Sequence, residues 1–232
     1  MTHAILHPKS WKPARGYANG VAQRHAETSR AMFPGHEIHA VTNGVHTLTW
    51  AHDEMAQLFD AHLPQWRLDP KVLTGANALP DGAIWTAHRR AKAQLVEQVA
   101  AATGVTLDLD KPILGYARRM TPYKRPLLLF SDIERLAEIA QHWPFQIVIS
   151  GKAHPRDGGG HEAIHRILEI AGQLAGRLRV AFLPAYNMQT AKTLVAGVDV
   201  WVNTPVPPME ASGTSGMKAA LNGVPNFSVL DG

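Results

Sequence analysis

Ile113-Leu-Gly-Tyr-Ala-Arg-Arg-Met-Thr-Pro-Tyr-Lys-Arg125 is the stretch that decides the fold. Residues 113–117 form a short apolar run that reads as a buried strand, and two arginines follow it directly. Downstream the same pattern recurs: an apolar run, a turn carrying glycine or proline, then an amphipathic stretch. The runs predict strands at 146–150, 179–183, 198–202 and 226–230. Helices are expected at 126–142, 161–175, 188–196 and 217–221. In the first of these, Leu128, Leu129, Ile133, Leu136 and Ile139 share one face. Short apolar strands separated by helices imply parallel pairing with right-handed crossovers and helices on both faces. The fold class is therefore α/β, a doubly wound, Rossmann-like parallel sheet. Such sheets take their ligands beyond the carboxyl ends of the strands. Arg118-Arg119, Gly151-Lys152, Tyr186 and the stretch 210–218 all fall there.

Upstream, residues 83–102 read as a lead-in helix with Ile84, Leu95, Val96 and Val99 as its apolar stripe. Residues 19–32 are predicted helical, and 38–42 form a strand ending at Asn43-Gly44. The stretch containing Pro64, Pro70, Gly75 and Pro80 reads as a boundary or linker. One helix and one strand cannot enclose a core. Residues 1–75 are thus expected to be an incomplete N-terminal domain segment with its linker, and residues 76–232 the ligand-binding Rossmann-like domain.

The 232 residues are 45% apolar, ample for a buried core, and carry a formal charge of +4. The basic residues are interspersed with acidic ones, which argues against nucleic acid as a partner. No apolar run approaches the roughly 20 residues that span a bilayer, and the first residues lack a signal pattern. A cytoplasmic protein without membrane contact is expected. Cysteine is absent, so neither disulfides nor thiolate metal sites arise. Thirteen histidines show no metal-ligand spacing, and His3, His7, His25 and His36 read as surface positions. No metal is expected.

Arg118, Arg119, Lys124 and Arg125 crowd four cations just after a strand and at the start of the expected helix, where the helix dipole disfavours them. A bound anion would relieve that repulsion; the competing reading is a solvated basic patch. Neither Gly151-Lys152 nor the run Gly213-Thr-Ser-Gly-Met-Lys218 has the order of a P-loop. Lys152 reads equally well as an idle loop residue, and His154 as structural. The stretch Glu210-Ala-Ser-Gly-Thr-Ser-Gly-Met-Lys218 combines a carboxylate, hydroxyls, glycines and one lysine. It suits either an ordinary turn or a loop that binds sugar hydroxyls or phosphate. Lys218 heads toward the core, where desolvation favours a neutral, nucleophilic amine. Tyr186 reads either as a stacking partner for an aromatic cofactor or as a core tyrosine.

These motifs together resemble the α-glucan phosphorylases of glycogen, starch and maltodextrin. The resemblance runs along nearly the whole chain: YANGVAQRH at 17–25, TNGVHTLTW at 42–50, RRMTPYKR at 118–125, GKAHP at 151–155, PAYN at 184–187 and EASGTSGMKAALNG at 210–223. The last motif is the most specific. The wording is similar to the shorter bacterial branch.

The resemblance implies the C-terminal half of a two-domain GT-B-type fold. It implies phosphorolysis, with retention, of a terminal α-1,4-linked glucose by inorganic phosphate, giving α-glucose 1-phosphate. Members carry pyridoxal phosphate as a Schiff base on the lysine that matches Lys218, and the cofactor's phosphate exchanges a proton with the substrate phosphate. Thr214 and Lys124 match residues that hold the cofactor phosphate, and Tyr186 matches a tyrosine lining the cofactor pocket. Arg119 matches the arginine that grips the substrate phosphate, with Arg118 where a lysine is common. Tyr123, Glu210, Ser212 and Gly213 match positions that contact glucose. Partners are then an α-1,4-glucan, inorganic phosphate, and either a complementary N-terminal chain or a second copy.

The sequence also departs from the family. The glycine-rich loop of the N-terminal domain has no counterpart, and a histidine position near the glucose falls on Gly16 or Arg15. The chain therefore reads as a fragment expected to lack phosphorylase activity alone. Two other readings stand beside it. One is a nucleotide-sugar glycosyltransferase of the same architecture, in which Arg119 and Lys124 grip a diphosphate. The other is a non-catalytic, degenerate fragment.

Overall fold

The structure, a computed structural model, describes residues 17–231. The expectations for His3, His7, Arg15 and Gly16 fall outside them. The residues pack into two compact units, each discontinuous in sequence. The smaller combines the segment up to Gly44 with Pro205–Thr214 and the segment from Val229; the larger takes Val45–Thr204 and Ser215–Ser228.

In the smaller unit, β1 (Asn19–Gly20) pairs in parallel with β2 (His39–Ala40), and α1 (Gln23–Met32) connects them. The helix expected over 19–32 begins later because Asn19 and Gly20 are committed to the ladder, and His25 Nδ1 accepts from Val21 N at 3.0 Å. Arg30 Nε donates to Ile38 O at 2.8 Å, closing the return to β2.

The larger unit begins with α2 (Thr47–Trp50), α3 (Asp53–His62), a 3-10 helix (Pro70–Ala78) and α4 (Asp81–Thr103). The proline-rich stretch expected to be a linker is folded. Pro70 opens the 3-10 helix and Pro80 caps α4, positions where a missing N–H costs nothing. Trp66 is fully buried among Met55, Leu58, Phe59, Leu79 and Ala87. Its Nε1 donates to Asp60 Oδ1 at 2.8 Å, and Arg67 holds both Asp60 oxygens at 2.7 Å. The hydrogen bonds from Arg67 and then Trp66 keep the Asp60 carboxyl down at about 2.

Five strands follow: β3 (Ile113–Arg119), β4 (Gln146–Lys152), β5 (Arg179–Leu183), β6 (Val200–Asn203) and β7 (Asn226–Ser228). They are all parallel, in the order β5-β4-β3-β6-β7. Between them run α5 (Ile133–His142), α6 (Gly158–Gln173), α7 (Met188–Gly197) and α8 (Thr214–Leu221). On one face Leu136 of α5 and Ile167 and Ile170 of α6 pack on Ile147, Ile149 and Val180. On the other, Leu95 and Val99 of α4 and Leu194 and Val195 of α7 pack on Val148, Ala181 and Trp201. This is the doubly wound sheet expected. The chain winds outward from β3 through β4 to β5, then crosses back to β6 on the other side of β3. The winding direction thus reverses between β3 and β6, and a crevice opens beyond their carboxyl ends.

The helix expected over 126–142 starts only at Ile133. Arg125 adopts a left-handed conformation, residues 128–130 make one 3-10 turn, and the Asp132 side chain caps α5 by accepting from Arg135 N at 2.9 Å. Leu128 and Ile139 of the expected stripe are each 40% exposed, while Leu136 is buried. Among the described residues no helix is long and apolar enough to cross a membrane.

At the amino end of the sheet sits a buried ion cluster that no sequence pattern announced. Asp199 accepts from Ile113 N at 2.7 Å, from the buried Lys92 Nζ at 2.8 Å, and meets His88 Nε2 at 3.0 Å. Burial pushes the Asp199 carboxyl up, but the bonds from His88, Lys92 and the Ile113 N–H outweigh it, and the net shift is downward. A carboxyl with a lowered folded pKa stabilises the fold above its unfolded value of 3.8, and that stability is lost as pH falls through the folded pKa. Asp199→Ala strands Lys92 as an uncompensated buried charge, and a loss of about 3–5 kcal/mol is expected in urea unfolding. The acid-dependent part of the wild-type stability should shrink with it. A variant within experimental error of wild type would refute the cluster's role.

Candidate functional site

Strand alternation sends Arg118 and Arg119 to opposite faces at the end of β3. Arg118 is buried, and its Nη2 donates to Ser215 Oγ at 3.2 Å. Ser215, in the first turn of α8, also accepts from Trp201 Nε1 at 3.3 Å and lies 3.5 Å from Asn203 Oδ1. The hydroxyl therefore ties α8 to both strands that flank the reversal. Arg119 is exposed and stands in register opposite Lys152 at the end of β4. Among the described residues neither cation has a carboxylate partner. Side-by-side cations without a counter-ion at strand carboxyl ends suit an anion. Gly151 is required for this approach: a Cβ there would collide with the Arg118 carbonyl oxygen and the Met120 methyl.

The next segment differs from expectation. Residues 122–124 form a 3-10 turn, so no α-helix N-terminus faces Lys124 and Arg125. The turn is held by its carbonyls instead. Tyr116 Oη donates to Lys124 O at 3.1 Å, and Thr204 Oγ1 bridges the Lys124 and Arg125 carbonyls at 2.9 and 3.2 Å. Arg125 Nε returns a bond to Thr204 O at 2.7 Å, which fixes its left-handed backbone at φ 49°. Lys124 is buried, with Nζ 4.7 Å from the Tyr123 ring centroid. Arg125 is thus committed to the scaffold, while Tyr123 and Lys124 are presented by it.

Lys218 lies one turn from the end of α8. Its Nζ sits 3.5 Å from the Trp50 ring centroid. Among the described residues no carboxylate or hydrogen-bond acceptor holds this ammonium, and burial alone lowers its pKa. Asn222, in the next turn, secures the arrangement. Its Nδ2 donates to Lys218 O and Trp50 O, both at 2.8 Å, and its Oδ1 accepts from His52 N at 2.7 Å. Tyr186 packs against the α4–α7 core. Burial raises its pKa, and the charge of Arg118 partly offsets the rise. Ala185 before it holds a left-handed φ of 54°, and Asn187 after it caps α7 through Thr190 N at 3.0 Å. Tyr186 is therefore a packed tyrosine that also faces the buried arginine.

The remaining expected residues belong to the smaller unit. Glu210 N donates to Asp231 Oδ2 at 2.9 Å, Ser212 Oγ is buried without a hydrogen-bond partner among the described residues, and Gly213 takes a left-handed φ of 65° that favours glycine. Thr214 opens α8, four residues before Lys218, so the two lie on one helical face. Sequence reasoning missed Trp50, Asn222, Ser215 and Asp231. The first three lay inside quoted motifs, where nothing distinguished them from neighbours; Asp231 had no signal.

A sequence profile of the carbohydrate phosphorylases matches residues 17–232. The chain is 40% identical to a glycogen phosphorylase of Aquifex aeolicus, across 93% of the chain and 35% of that protein. It is 38% identical to a maltodextrin phosphorylase of Thermococcus litoralis, across 93% and 29% respectively, and 37% identical to a glycogen phosphorylase of Mycobacterium tuberculosis, across 93% and 28%. The chain thus spans about a third of the length of these relatives.

The isolated Lys218 amine makes a direct prediction. In a pH titration of isotopically methylated lysines followed by NMR, the Lys218 signal should titrate below the ordinary lysine value of 10.5. A midpoint at or above that value would contradict the desolvation described.

Proposed function

The chain belongs to the carbohydrate phosphorylase family, and from that premise we propose that it is the cofactor-bearing part of an α-glucan phosphorylase, with Lys218 as the residue that holds pyridoxal phosphate. One observation carries this reading: a desolvated lysine amine, set over the Trp50 ring, that no carboxylate among the described residues neutralises. An amine in that state is nucleophilic at lower pH than an ordinary lysine. The residues fit the group, since the same unit offers Arg119 and Lys152, which have no acidic partners among the described residues, and a buried Lys124.

In this reading Lys218 holds the cofactor covalently through Nζ, Thr214 and Lys124 hold its phosphate, and Tyr186 lines its pocket. Arg119 grips the substrate phosphate, and Arg118 adds positive charge from within. Tyr123, Glu210, Ser212 and Gly213 hold the glucose unit. When bound, the cofactor supplies a phosphate that can exchange a proton with the substrate phosphate. The basic residues offset the repulsion between neighbouring phosphates and so keep a shared proton available. An anion beside an oxocarbenium-like transition state replaces the carboxylate pair of ordinary glycosidases. The whole reaction is phosphorolysis of a terminal α-1,4-linked glucose by inorganic phosphate to α-glucose 1-phosphate. We infer that it takes place in a two-domain GT-B-type assembly in the cytoplasm, completed by a complementary N-terminal chain or a second copy.

The test is chemical. The chain, incubated with pyridoxal phosphate, reduced with borohydride and mapped by peptide mass, should carry the label on Lys218, and Lys218→Ala should abolish it. Lys124→Met should weaken cofactor retention roughly tenfold or more, as expected for one lost hydrogen bond to an ionised group at about 1.5–3 kcal/mol. Folded protein without label on Lys218 would overturn the proposal.

A further inference from the structure

The carboxylate of Asp231 is out of place for a residue of no assigned role. Its side chain is 0% exposed, yet among the described residues its ion-pair partner, Arg24 Nε, is 3.7 Å away on a side chain 56% exposed. One oxygen, Oδ1, has no hydrogen bond among the described residues; the other, Oδ2, accepts from the backbone N–H of Glu210 at 2.9 Å. Burying a carboxylate is costly, and a half-exposed arginine at this distance recovers little of the cost. What only an acceptor can do is fix the direction of the Glu210 N–H, and hence the backbone that carries Glu210, Ser212 and the left-handed Gly213. Arg24 belongs to YANGVAQRH, a motif that the proposed chemistry otherwise leaves without a task. Through Asp231, α1 and the 205–214 loop of the smaller unit are coupled.

We propose that Asp231 is a positioning residue for sugar recognition, with Arg24 as its counter-charge. It sets the conformation of the loop whose Glu210 and Ser212 hold glucose; this rests on the sugar-binding reading given above. Asp231 acts through Glu210 and does not itself touch the sugar.

The experiment compares wild type, Asp231→Ala, Asp231→Asn and Arg24→Ala by amide hydrogen exchange, glucose binding by ligand-observed NMR, and pyridoxal labelling of Lys218 on the same samples. Asp231→Ala should speed exchange across residues 205–214 while leaving residues 188–203 protected. It should weaken glucose binding about tenfold or more, the scale of one lost charge-assisted hydrogen bond, with Lys218 labelling unchanged. Asp231→Asn keeps an acceptor oxygen and should restore part of both effects, and Arg24→Ala should show a smaller loss. The assignment is overturned if exchange in 205–214 does not change, or if the loop loosens with glucose affinity intact. It is also overturned if wild type labels at Lys218 yet binds no glucose, or if Lys218 labelling and residues 188–203 are lost together with the sugar, which marks a merely structural role. Failure of the cofactor reading shows separately, as wild type without label on Lys218.

Discussion

The Asp199 carboxylate fixes where β3 begins, and the remainder of the site follows from that register. By holding the Ile113 N–H, it sets the first residue of the central strand against the turn that precedes β6. Lys92 and His88 bind the same group from α4, so the lead-in helix and the sheet share one anchor. Side chains on a strand alternate, and a slip of one residue would exchange the faces of Arg118 and Arg119. Arg118 would then lose Ser215, and Arg119 would lose its place beside Lys152. A cluster at the amino end of the sheet thus decides which arginine is structural and which is available at the carboxyl end.

At that carboxyl end, Ser215 does for α8 what Asp199 does for β3. Its hydroxyl gathers Arg118 and Trp201 from the two strands that flank the reversal, so the helix bearing Lys218 is docked at the crevice rather than merely following a loop. Asn222 completes the docking by clasping Lys218 O together with Trp50 O and His52 N. The two quoted motifs TNGVHTLTW and EASGTSGMKAALNG therefore meet in the structure, the first supplying the ring on which the lysine of the second rests.

The parallel sheet was legible in the sequence because its strands are short, apolar and separated by helical periods, and residues 179–183 were located to the residue. Helix starts were less legible. Nothing in the apolar stripe of 126–142 reveals that Arg125 turns left-handed to reach Thr204, and that bond is made to a residue 79 positions away. Residues 45–80 misled for a related reason. Prolines punctuate a linker and a series of short helices alike, and only the burial of Trp66 separates the two. Lys218 could be singled out by its place among apolar neighbours, but Trp50 and Asp231 act through contacts over long sequence separations and leave no local pattern.

Lys218 is held against the interest of stability. Among the described residues this half-buried ammonium has no carboxylate; it loses hydration and gains the face of one indole, an interaction worth about 0.5–2 kcal/mol. A glutamate or aspartate nearby would offset the desolvation better. It would also favour the charged form and raise the pKa, opposing the shift that burial imposes. Trp50 stabilises the position without supplying a proton acceptor, and Asn222 secures the helix through the backbone, away from the amine. Among the described residues the fold places this lysine without a carboxylate that would quiet it. The proposed covalent attachment of an aldehyde cofactor would use such an amine, whereas a diphosphate-gripping transferase would leave it without a task.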